Sequence, residues 1–398
     1  MIKEVGQRKI CLFEGILFVL VILCQLPQTY VFSQMDGLDT IINLLQLVCY
    51  VGLVVVILEN NLEVKRLLLI AGFALLFLIG YLKSGQAAYF RGVLLIVAAA
   101  KFPYKRIIRI CKDATLGMFV LTVVLWILGI SDSGIGRRGK VALGYVHPNI
   151  AAQIVVILVL LYCAEKGSEI RRKDYILIEL AAAIIYLITD SKTAVMVLVI
   201  APIVIEITKF FVRRQKKYRV VCGMLTLSQL FVVGFTYLSA ILLPYSGFLK
   251  KLDLFLTNRL FLNYYLLKEF GMKLFGQNVL SYFTGSVYND IHDFYGAVIT
   301  CDNTYALSLI VMGIIPTLLA VAGYFFIIRK ALKNRDYMVI ATAILLSLYA
   351  FCECQLTEIY KYFIYFYLFA KAMENKKSNE RRGTENDSES NKLLLVWR

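Results

Sequence analysis

Apolar residues in this chain come in long, nearly unbroken runs separated by short polar segments. Twelve runs stand out: 10–32, 38–58, 66–82, 86–100, 114–130, 149–164, 174–190, 193–208, 219–244, 304–328, 337–352 and 357–371. About 20 consecutive apolar residues suffice to carry a helix across the hydrocarbon core of a bilayer. The pattern therefore predicts an all-α, polytopic membrane protein with about 12 transmembrane helices. The fourth and last runs are short, which suits a tilted or re-entrant segment. Evenly spaced stretches of period-two alternation are absent, which argues against a β-barrel. No internal repeat is visible, which weakens a transporter built from inverted repeats.

Composition agrees. Sixty per cent of the 398 residues are apolar, 18% are charged, and mean hydropathy is +0.72. An ordinary soluble protein has roughly 45–50% and 25%, and even a large domain leaves about a quarter of its surface exposed. A soluble enzyme, a disordered chain and a secreted disulfide scaffold are excluded on these grounds.

The net charge of +16 invites a nucleic-acid reading until it is sorted by loop. Lys and Arg concentrate before the first run and in segments 59–66, 101–113, 165–174, 209–219, 329–336 and 371–382, which is every second loop. The positive-inside rule then puts both termini in the cytoplasm. Most of the charge orients the helices and calls for no nucleic-acid partner. The first run lacks a small-residue cleavage site and reads as a retained helix. Residues 1–372 form one transmembrane domain, and 373–398 a polar, disordered cytoplasmic tail. The nine cysteines read as packing residues. With two histidines and no Cys/His pattern, no metal site or cofactor is expected.

Residues that break the sidedness rule carry the chemistry. Segments 131–148 and 245–303 form outer loops, the second large for a helix connection. They hold Arg137, Arg138, Lys140, Lys250, Lys251, Arg259, Lys268 and Lys273. Outer cations suit an anionic ligand such as a lipid-linked diphosphate, because Arg grips phosphate oxygens bidentately. Binding of lipid headgroups is the plainer alternative. Lys192 lies on a tight outer turn beside Asp190, its simplest partner. His147 precedes Pro148 and Asn149 at a helix entrance, as a cap or as a ligand for phosphate or sugar. Asp302 and Asn303 precede the tenth run as an N-cap, or Asp302 or His292 takes a proton from a sugar hydroxyl. Glu14, Glu179, Glu206 and Arg91, within or near apolar runs, are further candidates.

Four segments together resemble a family. Arg137–Asn149 resembles the R-x-x-LG-[FY]-x-HPN stretch of Gram-positive capsule and exopolysaccharide polymerases, the Wzy-type relatives of O-antigen polymerases and ligases. Tyr186–Ala194 is similar to their SRT turn, with Lys192 in place of the usual Arg, which keeps the charge and loses the fork. Leu256–Leu260 followed by Lys273–Gln277 resembles their "R…lfG" segment. Asp302–Tyr305 followed by Met312–Ile314 resembles their "DNxY…G" entry to a late helix.

The resemblance implies a membrane glycosyltransferase. It would polymerise undecaprenyl-diphosphate-linked oligosaccharide repeat units on the outer face of the bacterial cytoplasmic membrane, beside a flippase and chain-length regulators. Arg137, Arg138, Lys192 and Arg259 would hold the diphosphate. Asp302, His292 or His147 would serve the acceptor hydroxyl, and Asn149, Asn303 and Tyr305 would shape the acceptor side. No outer Asp-x-Asp motif is present, which fits cation assistance rather than a metal. A ligase-like or teichuronic-acid-type glycan transferase is the nearest alternative. A lipid-linked oligosaccharide flippase is the alternative from another class.

Overall fold

A computed structural model describes residues 2–59, 64–100, 102–133, 140–256, 258–279, 302–354 and 358–371. The predicted sites Arg137, Arg138 and His292 and the C-terminal tail lie outside the described residues. Those described are helical, apart from turns and two isolated bridges, Thr29 with Tyr145 and Pro103 with Lys371.

The helices are α1 (Ile2–Gln25), α2 (Leu38–Leu58), α3 (Val64–Ser84), α4 (Ala88–Ala98), α5 (Tyr104–Ile127), α6 (Pro148–Lys166), α7 (Arg172–Thr189) and α8 (Lys192–Arg213). After these come α9 (Arg219–Thr226), α10 (Ser228–Leu242), α11 (Gly247–Phe255), α12 (Arg259–Phe270), α13 (Thr304–Leu307), α14 (Ile314–Lys333) and α15 (Tyr337–Cys352). Among the described residues six stretches are long and apolar enough to cross a membrane: Ile10–Gln28, α2, α5, Pro148–Glu169, α8 and α14. The pair α9 and α10, bent by 55° at Leu227, makes a seventh if counted as one span. The protein is thus a membrane-embedded helical assembly.

Several runs that look uniform in sequence are divided. The run 219–244 is the bent pair. The run 304–328 opens as α13, passes through a π-helical turn over Ser308–Met312, stops at Gly313 and restarts as α14. The last run forms a 3-10 helix, Ile359–Leu368, whose final carbonyls are closed by Lys330 Nζ. The large loop contains α11 and α12. At 11 residues, α4 is about 16 Å long, too short to cross the hydrocarbon core.

Helix α15 is buried almost all round, and α6 on most of its faces, as expected of helices apolar on every side. Around them α1, α5, α7 and α8 pack through Phe13, Tyr104, Ile108, Ile185 and Val197. Helices α2, α7 and α10 leave Leu44, Val48, Leu187 and Phe231 exposed, the surface that meets lipid chains.

Cations and acids sort to one end. Arg109 and Lys112 of α5 both reach Glu165 at the end of α6, at 2.7 and 2.5 Å. Glu14 is held by Arg106, and Glu206 by Lys209 and Tyr175. At this end Lys371 also pairs through its backbone with Phe102 and Tyr104. Glu179 lies exposed on α7 and not buried, because its turn faces outward. The opposite end of the bundle carries the candidate site.

Candidate functional site

Arg259 stands at the first position of α12. Asn258 before it adopts a left-handed conformation and gives no side-chain cap. Asp253 supplies the cap instead, its Oδ1 accepting from Leu260 N at 2.7 Å and Phe261 N at 3.1 Å. That fixes the start of α12 and aims Arg259 inward, where its side chain is only 11% exposed.

There it meets two carboxylates. Arg259 Nη2 donates to Glu353 Oε1 at 3.1 Å and lies 3.8 Å from Asp302 Oδ2. Glu353 follows the last residue of α15 and is buried. The same Oε1 accepts from Thr193 Oγ1 at 2.6 Å, at the start of α8. Thr304 Oγ1 donates to the Glu353 carbonyl at 2.7 Å, tying α13 to this point. Arg259 Nη1 is buried and has no hydrogen-bond partner among the described residues. Asp302 keeps 37% of its side chain exposed.

Asn303 is the N-cap of α13, its Oδ1 accepting from Tyr305 N and Ala306 N at 2.9 and 3.0 Å. Tyr305 is buried and donates to the Ser347 carbonyl at 3.3 Å. Both residues hold the helix entry, so the capping alternative describes their geometry. His147 is the N-cap of α6, with Nδ1 accepting from Asn149 N at 3.1 Å. An accepting Nδ1 leaves the proton on Nε2. The loop before His147 is laced to its surroundings by Val146 N to Gln28 O, Tyr30 N to Gly144 O and Lys140 Nζ to Leu187 O. Lys140 is thereby tied to the C-terminus of α7.

Electrostatics couple these groups. Burial pushes the Glu353 carboxyl above its ordinary range, and Arg259 opposes the shift. Burial works against the Arg259 cation, but Glu353 and Asp302 outweigh it and hold its pKa above the ordinary guanidinium value. Loss of surrounding water lowers the pKa of His147, with the Asp302 charge pulling the other way.

Lys192 begins α8 next to Thr193, exposed and without an ion pair among the described residues. Asp190 adopts the left-handed conformation that closes α7, and among the described residues no ion pair joins it to Lys192. Lys250, Lys251, Lys268 and Lys273 are exposed on α11, α12 and the following segment.

The structure therefore joins Arg259 to Asp302 and sets Lys192 and His147 at neighbouring helix starts. The chemistry available to the cluster is anion recognition by a buried guanidinium, with a half-exposed carboxylate and an imidazole beside it. The sequence reading missed Glu353 and Thr193. The usable signal for Glu353 was an isolated acid just past an apolar run, the kind of group able to compensate a buried Arg. A second cluster was also missed. Lys361 Nζ is buried between Glu358 Oε2 at 2.6 Å and Gln153 Oε1 at 2.5 Å, Gln153 Nε2 reaches the Cys354 carbonyl at 3.2 Å, and Gln28 bonds Glu358.

Two segments singled out separately in the sequence are docked on each other. Gln277 N donates to Val311 O, Ile314 N to Lys273 O and Ile315 N to Leu274 O, each at 3.0 Å. Gly276 and Gly313, at φ +80° and +94°, face each other so closely that a Cβ on either would lie within 2.1 Å of the opposing backbone. Among the described residues no three His, Cys, Asp or Glu side chains gather to hold a metal ion.

Fold and site together define a membrane-embedded helical protein with a buried, carboxylate-braced arginine where several helix ends meet. No protein-family model matches the chain, and neither a curated protein nor a solved structure matches it.

Proposed function

We propose that the protein is a Wzy-type membrane glycosyltransferase that polymerises undecaprenyl-diphosphate-linked oligosaccharide repeats on the outer face of the bacterial cytoplasmic membrane. In this reading the chain makes about 12 membrane passes, some short or broken, with both termini in the cytoplasm. One observation carries the proposal. Four segments scattered over the chain that resemble motifs of one family supply Arg259, Asp302, Thr193 and His147 to helix starts at the same end of the bundle.

The reaction balances simply. An acceptor hydroxyl oxygen attacks the anomeric carbon of the donor glycan, and the bond from that carbon to the diphosphate oxygen breaks. The electron pair leaves with the lipid diphosphate, and the hydroxyl proton passes to Asp302, because the one lone pair of neutral His147 is taken up by Asn149 N. Negative charge grows on the leaving oxygen in the transition state, where a preorganised cation stabilises most. Arg259 Nη1, a buried donor with no partner among the described residues, is available for this. Lys192 adds an exposed, mobile charge at the entrance.

The test is expression of Arg259→Ala in a strain lacking the chromosomal copy. Polymer is expected to vanish while single lipid-linked repeats accumulate outside the membrane. Normal polymer would overturn the proposal, and repeats trapped inside would favour the flippase. Removing Arg259 also strands the buried Glu353, a loss of about 3–5 kcal/mol. Arg259→Lys, which keeps a charge against Glu353, therefore accompanies it. This variant is expected to melt within a few degrees of the parent, with polymer yield reduced at least tenfold.

A further inference from the structure

A cavity of about 300 Å³ lies between α1, α2 and α4, apart from the Arg259 cluster and sharing none of its residues. Its lining combines apolar Leu17, Leu20 and Ile42 with polar Asn43, Gln46, Tyr50 and Arg91. Arg91 is half-buried in the short helix α4. Among the described residues its guanidinium makes one hydrogen bond, from Nη1 to Gln46 Oε1 at 2.9 Å, and lies 5.5 Å from the centre of the Tyr50 ring. Gln46 is turned to accept that bond because its Nε2 donates to Cys24 Sγ at 3.8 Å.

Among the described residues no carboxylate forms an ion pair with Arg91. A guanidinium carries five donors, and here one is used by a neutral amide. Glu358 lines the cavity but is already paired with Lys361 at 2.6 Å. Asp39 sits exposed at the first turn of α2 and forms no ion pair with Arg91. A half-buried cation left uncompensated in an apolar helical assembly is costly and marks a ligand position. The matching ligand is anionic at the end that meets Arg91 and apolar where it meets Leu17, Leu20 and Ile42. The apolar part of the lining extends along α1 and onto α4 through Val21, Leu23 and Leu95.

We infer that this cavity binds the phosphate of an anionic phospholipid, with Arg91 as its anchor and the acyl chains running along α1 and α2. The cavity shares no residue with the Arg259 cluster, which separates the site from the glycan chemistry proposed there. The inference stands without that proposal, and its test uses lipids that carry no glycan.

The full chain is reconstituted in nanodiscs of phosphatidylcholine with or without phosphatidylglycerol, and its melting is followed. Phosphatidylglycerol is expected to raise Tm by several degrees. Arg91→Gln is expected to abolish the rise and Arg91→Lys to keep part of it. Ala88→Phe, which fills the cavity without touching the cation, is expected to abolish it as well and serves if Arg91→Gln does not fold. Native mass spectrometry is expected to show phosphatidylglycerol retained by the parent and lost from Arg91→Gln and Ala88→Phe. The inference is overturned by an equal rise with inorganic phosphate. It is also overturned by a rise with undecaprenyl phosphate and none with phosphatidylglycerol, or by an undiminished phosphatidylglycerol rise in both variants.

Discussion

His147 shows how one side chain can carry a cap and a titration together. Its Nδ1 accepts from Asn149 N, so the ring must be neutral for the cap to exist. The surroundings act in the same direction by lowering its pKa below 6.5. The unfolded chain binds the proton more readily than the folded one, so stability falls as protons bind. The contribution is fully present above pH 6.5 and is lost as pH falls from there through the folded value. A loss of about 1 kcal/mol, the worth of one N-cap, is expected on acidification and is read as a drop in Tm. His147→Asn keeps a cap without a titrating ring, so it should flatten this part of the profile. An unchanged profile in that variant would place the titration elsewhere.

At the scale of elements, the break between α13 and α14 matters more than the length of either. The π-helical turn and Gly313 leave carbonyls and N–H groups that a continuous helix would have consumed, and segment 273–277 takes up three of them. Contact at backbone distance requires two residues without Cβ and with positive φ. Gly313→Ala is therefore expected to destabilise well beyond the ~1 kcal/mol of an average substitution, and to detach the loop that follows α12 from the π-helical turn and the start of α14. Limited proteolysis after residue 270 should become faster in the variant, with the same cleavage rate as the parent arguing against the docking. Hydropathy could rank neither glycine, because each is required by backbone that a distant segment brings against it.

For the whole molecule, the distribution of charge gives two unlike ends. One carries paired surface cations such as Arg109 and Lys112 on Glu165, worth little in stability because they are solvated. The other carries the buried Arg259. A cytoplasmic assignment for the first end is testable by single cysteines in a cysteine-free background. Lys251→Cys on α11 should react with a membrane-impermeant maleimide in intact cells, and Lys216→Cys in the segment after α8 only after the membrane is opened. Reversed labelling would invert the topology and put the Arg259 cluster inside.

Much of the architecture was legible in the sequence, since hydropathy sums over neighbouring residues and so survives without knowledge of the fold. The runs 38–58, 149–164 and 337–352 coincide closely with α2, α6 and α15. The same summation hid the breaks at Leu227 and Gly313, because a helix that bends or restarts keeps its apolar composition. Arg259, Asp302 and His147 could be singled out as polar groups in costly places. Their roles could not be assigned, because the partner that fixes Arg259 is Glu353, 94 positions away, and nothing local marks that pairing. The sequence by itself determined that the chain lies in a membrane, which stretches are helical and which charges are out of place. Tertiary structure alone decided which of those charges meet. A buried cation is compensated by whatever acid the packing of distant helices brings within hydrogen-bonding reach, and that is a property of the packed bundle and of no single segment.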